Sequence, residues 1–260
     1  MPEIQSGGKS ANTVVPAKGS LAVRVINVGK GDAILIQLPD GKNVMIDTGY
    51  EETSRYVTDK LFEYNVDNID LLIVTHPDKD HIGGLNEIRS AFEIASYVES
   101  VDLKQKEERG RKIFTPKICG TRPLLAGNGY SLSILAPLSN SYNDVNDCSI
   151  VVKLTFGEIE FLFAGDALDT SEREMLNAKL NLKADVLKVA HHGRGLVCSR
   201  EFLNAVSPKY AIITCGEDSK DSCDREVEDK LETIGAEVFK TSDHGTIHIL
   251  SDGKNIEVKP

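Results

Sequence analysis

Residues 21–28 (Leu-Ala-Val-Arg-Val-Ile-Asn-Val) alternate apolar and polar side chains, the period of a half-buried β-strand. Residues 33–38 and 43–46 continue that pattern across the turn Pro39-Asp40-Gly41-Lys42, which predicts an antiparallel meander at the start. A helix is expected over residues 52–64, with Tyr56, Leu61 and Phe62 among its apolar positions. Residues 69–75 form a near-continuous apolar run, as in a strand covered on both faces. Beyond it the pattern predicts a helix over 84–92 and short strands at 95–99, 117–119 and 131–135. Strands at 149–155 and 160–164 flank a turn at Gly157-Glu158, followed by a helix at 170–178 and a buried strand at 184–190. A short helix over 200–205, capped by Ser199, precedes a strand at 210–214 and an amphipathic helix at 224–234. Strands at 237–240 and 246–250 close the chain, and no repeat of solenoid length occurs. Two β-rich stretches, each followed by mixed strand and helix, point to an α/β architecture, whose arrangement periodicity alone does not specify.

At 260 residues the chain suffices for one large domain, and no interior Pro/Gly/Ser-rich or single-charge run reads as a linker. Residues 1–20 are polar, with Gly, Ser, Pro and Lys interspersed, so a flexible arm is expected ahead of a domain spanning 21–260. No apolar stretch approaches the roughly 20 residues a membrane helix requires. The first residues lack the basic region and apolar run of a secretory signal, and the expected location is cytoplasmic, with no membrane partner. The net charge of −10 argues against bulk attraction to nucleic acid or anionic membrane, although a local basic groove stays open. Lys104, Lys106, Arg109, Arg111 and Lys112 are interrupted by Glu107 and Glu108 and read as a solvated connection. The five cysteines are odd in number and contain no CxxC pair, which fits reduced structural thiols better than a zinc knuckle or disulfide framework.

The densest chemistry lies in Thr75-His76-Pro77-Asp78-Lys79-Asp80-His81-Ile82-Gly83-Gly84. A buried strand ends at Thr75, so four ligand-type side chains fall on a loop at a sheet edge. Side chains at i and i+2 of an extended segment share a face, which aligns His76 with Asp78. Asp80 and His81 precede a helix, and Gly83-Gly84 is expected to permit a tight turn there. Imidazoles with carboxylates suit zinc, manganese or iron. Three more strands end in such residues: Val44-Met45-Ile46-Asp47, Phe161-Leu162-Phe163-Ala164-Gly165-Asp166, and the run from Asp185 to His191-His192-Gly193. Taken singly, each has an ordinary structural explanation. Their succession behind an HxDxDH loop points to a shared cation.

With these motifs the chain resembles the metallo-β-lactamase superfamily, and most nearly the soluble C-terminal domain of the ComEC competence proteins. Asn27-Val28-Gly29-Lys30-Gly31-Asp32, Ile46-Asp47-Thr48-Gly49, the HxDxDH loop, Asn146-Asp147-Cys148-Ser149, Phe163-Ala164-Gly165-Asp166 and Val189-Ala190-His191-His192-Gly193 carry the resemblance, which extends from about residue 21 to about residue 250. The same HxDxDH variant is seen in phosphorylcholine esterases. The resemblance implies an αββα four-layer sandwich with the site at the edge between the sheets. It implies metal ligation by His76, Asp78, Asp80, His81, Asp166 and one of His191 and His192, with Asp47 behind a ligand to orient it. His191, which directly ends its strand, is the expected ligand, and His192 is expected to meet substrate or support the site.

Most of that superfamily has HxHxDH and a further histidine before the bridging aspartate. Here Asp78 replaces the second histidine, no histidine lies between His81 and Asp166, and Asn146 and Ser149 stand in that region. One metal position thereby exchanges imidazoles for oxygen, which makes manganese as good a candidate as zinc for the one or two divalent ions expected. Asn27 and Arg194 stand where the ComEC pattern usually has Asp and Ser. These 260 residues hold no run long and apolar enough for the membrane channel of the competence proteins, so DNA uptake is not expected of them. The expected chemistry is hydrolysis of a phosphodiester, DNA or smaller, by a metal-bound hydroxide. Asp166 would bridge the ions, Asp80 would assist proton transfer, and Arg194 would pair with a phosphate oxygen. The alternatives are hydrolysis of a thioester, lactam or lactone on the same fold, and a metal-binding interaction module without turnover.

Overall fold

The computed structural model describes residues 19–100 and 123–260. The predicted strand at 117–119, the basic run and Cys119 lie outside the described residues. The first sheet contains β1 (Leu21–Val25), β2 (Ile34–Gln37), β3 (Asn43–Ile46), β5 (Leu71–Val74), β7 (Tyr97–Glu99), β15 (Ile247–Ser251) and β16 (Ile256–Lys259), in the order β16-β15-β1-β2-β3-β5-β7. The second contains β8 (Leu125–Gly127), β9 (Tyr130–Ala136), β10 (Val151–Phe156), β11 (Ile159–Phe163), β12 (Val186–Lys188), β13 (Tyr210–Ile213) and β14 (Glu237–Lys240), in the order β14-β13-β12-β11-β10-β9-β8. Two further short strands, β4 (Asn68–Ile69) and β6 (Glu93–Ile94), pair with each other.

Period-2 alternation decides what each sheet buries on which side. Ile34, Ile36, Val44, Ile46, Leu71 and Ile73 face Leu132, Val152, Leu154 and Phe161 in a core between the sheets. The intervening Leu35, Met45, Leu72 and Val74 point outward, under Val57 and Leu61 of α1 (Ser54–Glu63) and Leu85 and Ile88 of α3 (Leu85–Ala91). On the far side Leu162, Leu187, Ala211 and Ile213 are covered by Met175 of α4 (Asp169–Asn177), Phe202 of α5 (Arg200–Val206) and Leu231 of α6 (Arg225–Thr233). The result is the four-layer αββα sandwich. Helical cover also explains why β1 is buried at every position, although its sequence alternates. Arg24, which supplies the polar beat, pairs with Gln37 Oε1 at 2.6 Å and lies over the Tyr64 ring.

Within each sheet one set of strands runs parallel: β3, β5 and β7 in the first, and β11, β12, β13 and β14 in the second. The carboxyl ends of parallel strands are where open α/β sheets place ligands. Asp47 follows β3, Thr75 and His76 follow β5, Asp166 follows β11, the His191-His192 pair follows β12, and Thr214 follows β13. Ser199 caps α5 by accepting from Phe202 N. The pattern missed β8, the two-residue strands, β16 and the four-residue helix α7 (Thr241–His244). The strand expected over 184–190 is three residues long. None of the described helices is long and apolar enough to cross a membrane.

Candidate metal centre

Three imidazoles meet at the sheet edge, and in each the Nδ1 atom is engaged behind the ring. His81 Nδ1 lies 2.7 Å from Asp47 Oδ2, an acceptor, so this nitrogen carries the proton. Thr75 donates its hydroxyl to Asp47 Oδ2 at 2.6 Å and thereby accepts from His76 Nδ1 at 3.1 Å. Thr214 donates to Asp32 Oδ1 at 2.6 Å and accepts from His192 Nδ1 at 3.0 Å. Every Nε2 is left with a lone pair, and His81 and His192 present theirs to each other at 3.3 Å.

Carboxylates complete the same point. Asp166 Oδ1 is 3.3 Å from His81 Nε2, its Oδ2 is 3.4 Å from His192 Nε2, and Asp80 Oδ2 is 3.5 Å from His192 Nε2. A tetrahedral ion with ligand bonds of about 2.0–2.1 Å holds its ligand atoms about 3.3 Å apart. Asp80, His81 and His192 bring ligand atoms within 4.8 Å of one another, and so do His76, His81 and Asp166, spacings that a divalent cation could span. His76 Nε2 lies 3.7 Å from Asp166 Oδ2 and 3.8 Å from Asp78 Oδ2, which outlines a second, wider position. Asp78 is 46% exposed there, whereas the side chains of His76, His81 and His192 are wholly buried. His76 Nε2, Asp166 Oδ1 and Asn146 Oδ1 are buried atoms with no hydrogen-bond partner. His76 Nε2 and Asp166 Oδ1 belong to the cluster, where unsatisfied buried acceptors are costly and a divalent cation would relieve them.

The charges respond to one another in the same sense. Burial depresses an imidazolium, yet Asp166 and Asp47 hold His81 well above the ordinary histidine range, and Asp166 and Asp80 raise His192. Asp166, despite its burial, is held well below the carboxylate range by His192 and His81. His76 moves oppositely: burial and the charge on His81 push it down to about 4. The carboxylates that favour a positive charge on His81 and His192 are the same groups that would favour a cation between them. Asp47 and Asp32 also approach His81 as a third acidic group, but their oxygens are already taken by Thr75, Thr214, His81 and Lys188. They orient ligands instead of offering a site of their own.

His192, not the expected His191, enters this cluster. The reasoning from strand direction fails because the chain leaves the extended conformation before the pair. His191 and His192 both adopt left-handed backbone, with φ of 47° and 54°, ahead of Gly193 at 71°. That turn swings His191 outward, where its Nδ1 meets the Arg194 carbonyl at 2.9 Å. Left-handed backbone on a non-glycine residue is strained, and Asp47 shares it with φ of 57°. Arg194 is not brought to the cluster either, since its guanidinium binds the Lys220 carbonyl. Ser149 supports Asp166 from behind by accepting its backbone N–H at 3.1 Å.

Four residues have no role in the sequence reading, although Lys30 and Asp32 lie in a motif that carries the resemblance. Lys30 sets its ammonium 2.8 Å from Asp80 Oδ2. Asp32 and Lys188 form a pair at 2.7 Å, each 1% exposed, and Thr214 links that pair to His192. A lysine inside the apolar run 184–190 was the available signal, because a buried ammonium requires a carboxylate partner.

The family model of the metallo-beta-lactamase superfamily matches residues 26–217. The chain belongs to that superfamily. Together with the His/Asp cluster, membership marks it as a metal-dependent hydrolase. It is 25% identical over 250 residues to ComE operon protein 3 of Bacillus subtilis, covering 86% of this chain and 32% of that protein. It is 28% identical over 198 residues to competence protein ComA of Neisseria gonorrhoeae, covering 75% of this chain and 27% of the relative. The chain thus spans about a third or less of these relatives' length. Among solved structures, the metallo-beta-lactamase fold protein YhfI of Bacillus subtilis superposes with a TM-score of 0.60 at 17% identity, covering 88% of this chain and 99% of that one. Igni18, a metallo hydrolase of Ignicoccus hospitalis, superposes at 0.56 with 19% identity, covering 87% and 98%. The superfamily fold is thus present.

Proposed function

We propose that this superfamily member hydrolyses phosphodiesters with one or two divalent ions, zinc or manganese. The observation that carries the reading is the convergence of three Nε2 lone pairs with the carboxylates of Asp80 and Asp166. Asp80, His81, Asp166 and His192 would hold one ion. His76, Asp78 and Asp166 would hold a second, weaker one, since this group is wider and one member is exposed to water. The second position is richer in oxygen, which favours a harder ion such as manganese. Bound there, a divalent ion supplies a water acidified toward neutral pH and a Lewis acid for the scissile oxygen.

The chain's own groups do the rest. Asp80 is held ionised by His192 and Lys30 against its partial burial, so at neutral pH it accepts hydrogen bonds or a proton and does not donate. Lys30 places a positive charge at the mouth of the cluster, 22% exposed, where a phosphate oxygen approaching the ions would meet it. That ammonium takes the place the sequence assigned to Arg194. A phosphodiester carries the negative charge such a cation selects, whereas thioesters, lactams and lactones are neutral at their reacting groups. The similarity to a protein named for competence supports DNA as one substrate to test.

The test is turnover of bis-p-nitrophenyl phosphate by the full chain with added manganese or zinc, alongside thioester, lactone and lactam panels. Metal-dependent phosphodiester cleavage that falls by about two orders of magnitude or more in Asp80→Ala is expected. Cleavage of a neutral ester instead, or bound metal without any turnover, would replace the reading.

A further inference from the structure

Lys188 buries a charge deep in the fold, yet none of the groups that would hold metal is among its hydrogen-bond partners. On β12, Val186 belongs to the apolar core between the sheets and Leu187 to the layer beneath the outer helices. Lys188, two positions after Val186, therefore points between the sheets. Its ammonium, 1% exposed, meets Asp32 Oδ2 at 2.7 Å and the Val189 carbonyl at 2.9 Å. Exchanging a buried ion pair for apolar residues of similar volume is often neutral or stabilising, so folding alone gives little reason for a lysine here.

The hydrogen bonds beyond that pair run in one direction. An ammonium only donates and a carboxylate only accepts, so Asp32 Oδ1 takes the Thr214 hydroxyl proton at 2.6 Å. With its proton committed, Thr214 can only accept, and His192 Nδ1 must donate to it at 3.0 Å. Asp32 reaches His192 only through Thr214, because its own Oδ1 stands 3.7 Å from Nδ1, too far for a hydrogen bond. Nor can Asp32 withdraw. Its N–H donates to the Asp80 carbonyl at 3.1 Å, and its carbonyl accepts from Gly49 N at 2.8 Å. Without this direction a neutral ring would carry its proton on Nε2, which has Asp166 and Asp80 oxygens at 3.4 and 3.5 Å.

We propose that Lys188 is a positioning residue of the metal centre: through Asp32 and Thr214 it fixes the tautomer of His192 and keeps Nε2 free for a cation. Lys188 acts by requiring an acceptor on one side of residue 32. Aspartate still has a second acceptor for Thr214, whereas the amide of an asparagine would be left with only its NH2 group on that side. The consequence for metal affinity rests on the proposed centre; the tautomer does not.

Three variants of the full chain test the relay. In Asp32→Asn, Lys188 claims the amide oxygen, the NH2 group turns to Thr214, and Thr214 donates to His192 Nδ1. In Asp32→Asn/Lys188→Met the amide is free to rotate, so its oxygen accepts from Thr214 and its NH2 group meets the Val189 carbonyl. Asp32→Leu/Lys188→Met leaves the Thr214 hydroxyl only the ring to donate to. The 15N shifts of His192 in the metal-free chain, at a pH where the ring is neutral, read the tautomer. Competition with a chromogenic chelator reads zinc affinity. Expected is Nδ1–H in the unsubstituted chain and in Asp32→Asn/Lys188→Met, with Nε2–H in the other two. Zinc affinity should fall by about 10–100-fold in those two alone. A second substitution that restores what the first removes is an outcome that a pair serving packing would not give. An Nδ1–H ring in Asp32→Asn, or the same tautomer in both double variants, overturns the relay. The double variants bury no unpaired charge, so their comparison decides the matter even where Asp32→Asn does not fold. Expected tautomers with equal zinc affinity throughout overturn the link to metal. Expected tautomers with no zinc bound by the unsubstituted chain count against the metal centre and leave the hold of Lys188 on the ring standing.

Discussion

A histidine offers one nitrogen to a metal only while something else holds the proton on the other. For His192 that duty falls to Thr214, whose own hydroxyl proton goes to Asp32, with Lys188 neutralising Asp32 from the far side. Thr214→Val keeps the shape and removes the acceptor for Nδ1–H. Metal affinity should fall by about 10–100-fold while thermal unfolding of the metal-free chain changes little, measured by chelator competition and calorimetry. A fall in stability with unchanged affinity would mean that the threonine serves packing alone. The adjacent histidines give a sharper contrast. His192→Ala should weaken binding by more than the roughly 10–100-fold typical of an outer hydrogen bond, whereas His191→Ala, which loses only a contact with the Arg194 carbonyl, should leave it unchanged. Equal losses in the two variants would contradict the placement of the pair. At this scale the HxDxDH loop, Asp166 and Asp47 were legible because each is a ligand-type residue at the end of an apolar strand. The choice within His191-His192 was not, because it depends on backbone sign, which side-chain chemistry does not encode.

The element between the histidine loop and α3 shows a different limit. Gly83 and Gly84 read as a tight turn in the sequence, yet both have ordinary right-handed helical backbone. What they supply is closeness. A Cβ on Gly84 would lie 2.4 Å from the Thr48 carbonyl oxygen, and one on Gly83 would lie 2.5 Å from Glu51 N. The junction between α2 (Lys79–Ile82) and α3 is pressed onto the segment after β3, and Thr48 N donates to the His81 carbonyl at 2.7 Å across that contact. The same contact brings His81 to Asp47. Gly84→Ala should therefore destabilise the chain by about 1–3 kcal/mol or more through overpacking against rigid backbone. It should also weaken metal binding, because the contact it opens sets the His81 position. Denaturant unfolding and metal titration on the same sample would check both, and a neutral substitution would show that the junction can yield. Strands and long helices were legible from their periods, to within a few residues at each end. The packing of one backbone on another was not, since a glycine in a sequence looks the same whether it frees a dihedral angle or makes room.

Across the whole molecule, the centre joins both halves of the sandwich: Asp47, His76, Asp80 and His81 come from the first sheet's loops, and Asp166, His192 and Thr214 from the second's. A cation bound there cross-links the two sheets at one edge, and it binds the folded chain alone, because the unfolded chain cannot assemble ligands more than a hundred positions apart. Its binding energy therefore appears directly as stability. At a free metal concentration of about 100 times the dissociation constant, the gain is about 2.7 kcal/mol. For a domain of this size each kcal/mol moves the unfolding midpoint by roughly 2–4 °C. Chelation should thus lower the midpoint by roughly 5–10 °C, the product of those two estimates, and re-addition of zinc or manganese should restore it. Asp166→Asn provides the control: it removes the carboxylate that approaches all three imidazoles, and its unfolding midpoint should no longer respond to chelator or metal. A midpoint that ignores chelation in the unsubstituted chain, after metal content has been shown to fall, would mean that the two sheets are held by their shared apolar core alone.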